Sequence, residues 1–351
     1  MGAKATQTIS TGIIGYGSSG KKLHTPLLLD NPNFSLYAIA TKSSSQSKHL
    51  PENTIQLTPE QLIVEPNIDL VVVATPNDTH FSYAKKALEA GKHVIVEKPI
   101  ALNTEQVAIL SELAQAKGLL LSTFHNRLWD CDYLAVKKIV KNKTLGTIHS
   151  YGVQVNRYWP EVINNWRDNP EHGGAVWELA PNLIVQSLTL FGKPNSIFAD
   201  ISTTRPIAKA PDSFYMRLIY SDLVVELTCS SLVKHTGPRY LIHGDIGSYI
   251  KQGVDPQHKQ LKAGMIPGDD KFGRESIDDW GSLYTCAENR HSETLCPSPD
   301  GNYPEFYRKI HLAITQGDPT PVSHQHAHDV ISIITAANQS SQQRKVIDIN
   351  H

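Results

Sequence analysis

Short apolar runs alternate with helical periodicities through the first third of the chain. The strand candidates are Thr11–Gly15, Ser35–Thr41, Ile68–Thr75, His93–Val96 and Leu119–Phe124. Within the third, Leu70-Val-Val-Val73 is apolar at every position, a pattern suited to a strand buried on both faces. Between the strands, Thr79–Ala90 places Phe81, Ala84 and Leu88 on one helical face, with Asp78 as its candidate cap and Gly91 as its stop. A second helix, Thr104–Lys117, is capped by Asn103 or Thr104 and stopped by Gly118. This alternation predicts a doubly wound parallel sheet over residues 1–125.

After Phe124 the rhythm changes. A helix over Asp132–Lys143 leads into a strand over Thr147–Tyr158, and a further helix is expected near Val176–Leu190. Asp212–Tyr220, Leu223–Ser230 and Tyr240–His243 then read as strands without helices between them, which predicts a large, mostly antiparallel sheet. Residues 252–302 are polar, rich in Gly and Pro and poorly periodic, so long surface loops are expected there. Tyr303–Thr315 and His326–Gln342 read as closing helices. The predicted fold class is therefore α/β over residues 1–125, followed by an α+β domain over residues 126–351.

Composition narrows the function classes. A chain of 351 residues suits two domains, and 40% hydrophobic with 19% charged residues describes a globular protein. Lys plus Arg number 33 against 34 Asp plus Glu, so no strong field recruits nucleic acid or an anionic membrane. No apolar stretch approaches the roughly 20 residues of a membrane span, and Met1–Ser10 lacks the apolar core of a signal peptide. Cys131, Cys229, Cys286 and Cys296 show no C-x-x-C spacing and read as reduced thiols, so a cytoplasmic location is expected.

The first strand runs into Gly15-Tyr-Gly-Ser-Ser-Gly20, followed by Lys21, Lys22 and Leu23 opening a helical stretch. This is the G-x-G-x-x-G turn of a dinucleotide-binding Rossmann domain, whose glycines let backbone approach a pyrophosphate. The third strand ends in Thr75-Pro76-Asn77 and the fourth in Glu97-Lys98-Pro99, both at carboxyl ends where ligands of such sheets sit. The second strand ends Ala40-Thr41-Lys42-Ser43-Ser44, without the acid that holds a ribose 2′-hydroxyl in NAD-specific domains. A lysine and hydroxyls suit a 2′-phosphate, so NADP(H) is the preferred cofactor, with NAD(H) as the alternative. The expected cofactor set is Gly15, Tyr16, Gly17, Ser18, Ser19, Gly20, Thr41, Lys42, Ser43, Thr75, Pro76, Asn77, His80, Glu97 and Lys98.

With these segments come His125-Asn-Arg-Leu-Trp-Asp130, Tyr158-Trp-Pro-Glu161, Leu190-Phe-Gly-Lys-Pro194 and Gly247-Ser-Tyr-Ile-Lys-Gln-Gly-Val-Asp-Pro256, in that order. Together they make the chain resemble the Gfo/Idh/MocA (glucose–fructose oxidoreductase/inositol dehydrogenase) family, and within it the branch of NADP-dependent scyllo-inositol dehydrogenases. The resemblance implies that Lys98 lies beside the nicotinamide and takes part in proton transfer or substrate orientation. It implies hydride transfer between nicotinamide and a carbinol or ketone carbon of a cyclic polyol or sugar, by a homodimer or homotetramer. Arg127, with Tyr158 and Trp166, would position this small-molecule substrate.

The chain also departs from the family. Members usually carry Asp and, four residues later, His on one helical face of the second domain; here these positions are Glu178 and Asn182. A usual glycine is Ala180 and a frequent acid is Val185. A carboxamide does not titrate near neutrality, so Asn182 can orient a substrate but not exchange its proton. The catalytic set implied is Lys98, Glu178 and Asn182, with slow turnover; the alternative is a catalytically impaired nicotinamide-binding protein acting as a sensor or partner subunit. His172, before Gly173-Gly174, reads as a loop histidine. Trp159, Trp166 and Trp177 suit a sugar pocket or simply a core. His324-Gln-His-Ala-His328 lacks the further ligands a metal site needs, and no metal is expected.

Overall fold

The computed structural model describes residues 7–41, 50–163, 165–287 and 290–349. It divides into two compact units: residues 1–126, 257–272 and 302–328 make the first, and 127–256, 273–301 and 329–351 the second. Two segments of the range 126–351 therefore belong to the first unit.

The first unit is built on six strands: β1 Ile9–Ile14, β2 Phe34–Ala40, β3 Ile55–Leu57, β4 Leu70–Val73, β5 His93–Glu97 and β6 Leu121–Phe124. All pair in parallel, in the order β3-β2-β1-β4-β5-β6. The strand order reverses between β1 and β4, so the carboxyl ends of these two strands open the crevice typical of the doubly wound fold. All four residues of β4 are buried, as its unbroken apolar run requires. Helices α1 Thr25–Leu29, α2 Pro59–Val64, α3 His80–Glu89 and α4 Thr104–Ala116 connect the strands.

The structure refines the helical stretch after Gly20, corrects one cap and adds one short pair of elements. Lys21–Leu23 belong to a π-helical turn over Gly20–His24, because the Gly20 carbonyl accepts both the Thr25 N–H and its hydroxyl, and Pro26 has no N–H to continue the α pattern. Thr79, not Asp78, occupies the N-cap of α3, with Asp78 inside a preceding single turn of 3₁₀ helix. The short pair β3 and α2 was not anticipated, although Thr58-Pro-Glu-Gln61 forms a reciprocal capping box. Asn103 caps α4 as expected, its side chain accepting from Gln106 N.

The second unit carries α5 Cys131–Lys141, β7 Ile148–Asn156, α6 Gly174–Glu178, α7 Ala180–Phe191, β8 Ser196–Ser202, β9 Ser213–Ile219, β10 Val224–Ser230, β11 Tyr240–Gly244 and β12 Gly247–Lys251. Its sheet order is β14-β13-β12-β11-β7-β10-β9-β8-β15, with β13 Gly281–Ala287, β14 Arg290–Cys296 and β15 Ile347–Asp348. Among the described residues of this second sheet, only β7 and β10 pair in parallel. The alternation of β9 buries Phe214, Met216 and Leu218 and turns its other face outward, the period of a half-buried strand.

The expected loop over residues 252–302 is replaced in part by helix α8 Gln257–Ala263 and the β13–β14 hairpin. The residues of β14 from His291 to Leu295 are exposed, so the strand has no apolar alternation to read. The expected single helix near Val176–Leu190 is two helices, α6 and α7, broken at Leu179. Pro181 lacks the N–H a continuous helix needs and starts a new one instead. Two longer helices follow, α9 Pro304–Gln316 and α10 His324–Gln343. Among the described residues no helix is long and apolar enough to cross a membrane.

Candidate functional site

The glycine-rich turn leaves β1 with Gly15 at φ +98°, where a Cβ would stand 2.4 Å from the Ala74 carbonyl oxygen. A Cβ on Gly20 would stand 2.1 Å from the Gly15 carbonyl oxygen. These two glycines are demanded by the protein's own backbone. Gly17 is different: a Cβ there would meet nothing within 4 Å. The protein's atoms do not require glycine at that position, and the space kept clear beside the turn suits the close approach of a pyrophosphate. Tyr16 is buried next to it, and burial pushes its phenol pKa up while a hydrogen bond with Thr25 opposes this.

Glu97, the last residue of β5, gathers this region together. Its Oε1 accepts a hydrogen bond from the Ser19 hydroxyl of the turn, and lies 3.3 Å from His24 Nε2. Its Oε2 accepts from the backbone N–H of Lys98 at 3.1 Å. Burial alone would raise the Glu97 carboxyl pKa, but the His24 hydrogen bond and charge, with Lys98 and Ser19, hold it at about 2. Behind it, His24 Nδ1 is 2.7 Å from the Tyr307 hydroxyl, which α9 brings back from 283 positions away. Neither His24 nor Tyr307 was expected. No local pattern marks them, since their relation exists only once α9 packs against residues 1–126 within the first unit.

His80, placed in the cofactor set from the sequence, is buried with both ring nitrogens against backbone. Its Nδ1 is 2.7 Å from the Pro99 carbonyl and its Nε2 2.8 Å from that of Thr75. It braces the segments after β4 and β5 to each other, and burial lowers its pKa. Asn77 is buried in the same turn, where the Thr79 hydroxyl also bonds the Thr75 hydroxyl at 2.7 Å. Lys98 precedes a cis peptide bond to Pro99 and is partly exposed. Ser18 is part of the turn, and Thr41 follows β2. Lys42 and Ser43 lie outside the described residues.

In the second unit, the break at Leu179 puts Glu178 at the end of α6 and Asn182 in the first turn of α7, so the expected shared helical face does not exist. Arg167 Nε lies 2.7 Å from Glu178 Oε1, and its guanidinium stacks 4.5 Å from the Trp166 ring centre. Tyr158 is exposed, bridges to Leu232, and has Lys234 Nζ 4.9 Å above its ring.

Asn182 lines a cavity of about 170 Å³ together with Arg127, Gln154, Asn156, Arg239 and Gln252. Glu178, Tyr158 and Trp166 are not among its walls. Asn182 is only 5% exposed, and its Oδ1 has no hydrogen-bond partner among the described residues; the same is true of Asn156 Oδ1. Arg127 Nη1 pairs with Asp130 at 3.0 Å, and Arg239 Nε with Asp132 at 3.0 Å. Gln154, Asn156 and Arg239 escaped the sequence reading because they stand as ordinary polar residues at the end of β7 and just before β11. His324 Nε2 lies 3.2 Å from the Leu121 carbonyl, and among the described residues no group of three or more His, Cys, Asp or Glu could hold a metal ion.

A parallel sheet in this order, a glycine turn held open at Gly17 and a lysine anchored at a strand end define a dinucleotide-binding oxidoreductase. Comparison with known proteins sharpens the class. Residues 9–125 match the family model described as "Oxidoreductase family, NAD-binding Rossmann fold", and residues 137–349 its partner, "Oxidoreductase family, C-terminal alpha/beta domain". The chain belongs to the Gfo/Idh/MocA oxidoreductase family. It is 37% identical over 353 residues to scyllo-inositol 2-dehydrogenase (NADP(+)) IolW of Bacillus subtilis, covering 100% of this chain and 98% of that one. It is 38% identical to the oxidoreductase YdgJ of Escherichia coli, covering 97% and 99%. The solved structure of Bacillus subtilis yvaA superposes with a TM-score of 0.95 at 36% identity, covering 99% and 100%.

Proposed function

We propose that this oxidoreductase transfers a hydride between NADP(H) and a carbinol or ketone carbon of a cyclic polyol or sugar. The observation that carries the reading is the fastening of Lys98: its N–H is held by Glu97, whose other oxygen is held by Ser19 of the glycine turn. The nicotinamide, when bound, supplies or takes up the hydride. The backbone of Gly15–Gly20 holds the pyrophosphate, and Lys98 exchanges the proton of the substrate hydroxyl. Arg127 and Asn182 orient the substrate's oxygens. The preference for NADP(H) is supported by the acid-free stretch after β2 and by the cofactor in the name of the relative IolW. The assembly is a homodimer or homotetramer.

Asn182 supports a second reading, a nicotinamide-binding protein with little turnover. A carboxamide cannot serve as acid or base, and loss of such a group costs about 10²–10⁴-fold in rate. Single-turnover oxidation of bound NADPH against a panel of inososes, ketoses and sugar aldehydes separates the two. Oxidation with one ketone supports the dehydrogenase; tight binding with no oxidation across the panel supports the second reading.

A further inference from the structure

This inference rests on the dehydrogenase reading and adds two residues to it. We infer that His24 and Tyr307 are positioning residues of the reaction: acting through Glu97, they set where the glycine turn and Lys98 stand.

Three donors converge on the Glu97 carboxylate. The Ser19 hydroxyl and His24 Nε2 meet Oε1, and the Lys98 N–H meets Oε2. Ser19 belongs to the turn and Lys98 to the strand end, so both are parts of the proposed cofactor site. His24 belongs to neither, and its side chain is fully buried behind the carboxylate.

The place of the His24 proton follows from its neighbours. A carboxylate accepts and does not donate, so Nε2, 3.3 Å from Oε1 and without another partner among the described residues, carries a proton. Nδ1 then faces the Tyr307 hydroxyl at 2.7 Å. A hydroxyl serves in both senses: it donates to Nδ1 of a neutral imidazole and accepts from Nδ1–H of an imidazolium. In either charge state Nε2–H stays on Glu97. Burial, with the Glu97 charge, pushes the Tyr307 phenol pKa well above its usual 10, so the hydroxyl keeps its proton.

The surroundings lock this arrangement. The Phe124 ring centre lies 4.1 Å from that of His24, Phe306 stands at 90° to Phe124, and Phe34 lies edge-on to Tyr307. His24 and Tyr307 have no exposed surface, so water does not repair a misplaced proton there. With Nε2–H in place, Glu97 stays ionised and takes donors from Ser19 and Lys98 at once. Without it the buried carboxylate has one donor fewer, its proton affinity rises, and once protonated it holds the turn and the lysine more weakly.

The test joins ring-nitrogen NMR of the cofactor-free protein, NADP⁺ affinity by calorimetry, and single-turnover hydride transfer from bound NADPH. His24 should show a proton on Nε2 in the parent; an unprotonated Nε2 overturns the inference. Tyr307→Phe, which removes one oxygen and keeps the ring, should displace that signal and slow hydride transfer by about tenfold. His24→Gln still offers an N–H to Glu97 and should stay within about threefold of the parent, while His24→Leu should fall at least as far as Tyr307→Phe. In His24→Leu, NADP⁺ affinity should drop about tenfold more than the parent's between pH 7 and pH 5, as Glu97 takes up a proton. Variants that lose only unfolding stability, with rate and pH profile unmoved, make the pair a packing feature and overturn the inference. So does a His24→Gln no better than His24→Leu. Should His24→Leu fail to fold, the Tyr307→Phe rate decides. If the parent reduces no ketone while the NMR and affinity shifts appear, the dehydrogenase reading falls and the positioning of the turn stands.

Discussion

Ser19 and Glu97 stand 78 positions apart, yet the Ser19 hydroxyl donates to Glu97 Oε1, and the same carboxylate accepts the N–H of Lys98. The glycine-rich turn and the lysine at the strand end are thus two arms of one buried anion. Ionised, Glu97 holds both through charge-assisted hydrogen bonds; protonated, it holds them more weakly.

Stability should follow that charge. Glu97 is held at about 2 from an ordinary 4.5, which corresponds to about 3 kcal/mol. Because the folded-state value is depressed, the contribution is present above pH 4.5 and fades as pH falls towards 2. Urea unfolding should find Glu97→Gln less stable than the parent by roughly 2–3 kcal/mol at pH 7, with the gap closing through that acid window. A gap independent of pH would remove the ion from the account.

The three glycines of the turn should separate folding from binding. Gly15→Ala and Gly20→Ala bring a Cβ against backbone carbonyls and should cost roughly 1–3 kcal/mol each. Gly17→Ala meets open space and should change stability by less than about 0.5 kcal/mol. Its NADPH affinity, followed by nicotinamide fluorescence, should nonetheless fall at least tenfold. Normal affinity in Gly17→Ala would place the pyrophosphate elsewhere.

Lys98→Ala should lower single-turnover hydride transfer by about 10²–10⁴-fold while NADPH affinity moves only a few-fold. If affinity alone changes, Lys98 is a binding residue and the low-turnover reading gains.

Restoring the acid and histidine usual in the family, as Glu178→Asp with Asn182→His, should raise the same single-turnover rate at least tenfold if the present site is a weakened version of that chemistry. An unchanged or lower rate would mean that the cavity has been rebuilt for a different ligand.

The pair Arg239 and Asp132 is almost wholly buried, with side chains 4% and 0% exposed. Arg239→Met should destabilise the protein by about 3–5 kcal/mol by leaving Asp132 buried and unpaired. Arg239→Met combined with Asp132→Leu should recover most of that loss in the same unfolding measurement.

The parallel sheet was legible because its strands are buried on both faces, so Leu70–Val73 had to be apolar throughout and Gly15–Gly20 had to follow β1 directly. The hairpin β13–β14 was not, because its outer strand is exposed and carries no apolar period. The split of α6 from α7 was written in Pro181, but the Glu178–Asn182 spacing hid it: four residues share a face only if the helix between them is unbroken. Lys98 and Asn182 stood out as motif positions, while His24, Tyr307, Asn156 and Arg239 did not. Their meaning depends on which atoms meet them.

By itself, the sequence determined the periodic elements of the first unit, its glycine turn and the acid-free end of β2, because each arises from backbone conformation or burial within a few residues. Tertiary structure alone decided that Glu97 binds Ser19 and His24, that Tyr307 closes the chain behind them, and that two arginines and two asparagines line one cavity. Hydrogen bonds and ion pairs act over about 3 Å, and the residues that form these are separated by tens to hundreds of positions. Only packing brings them within that range.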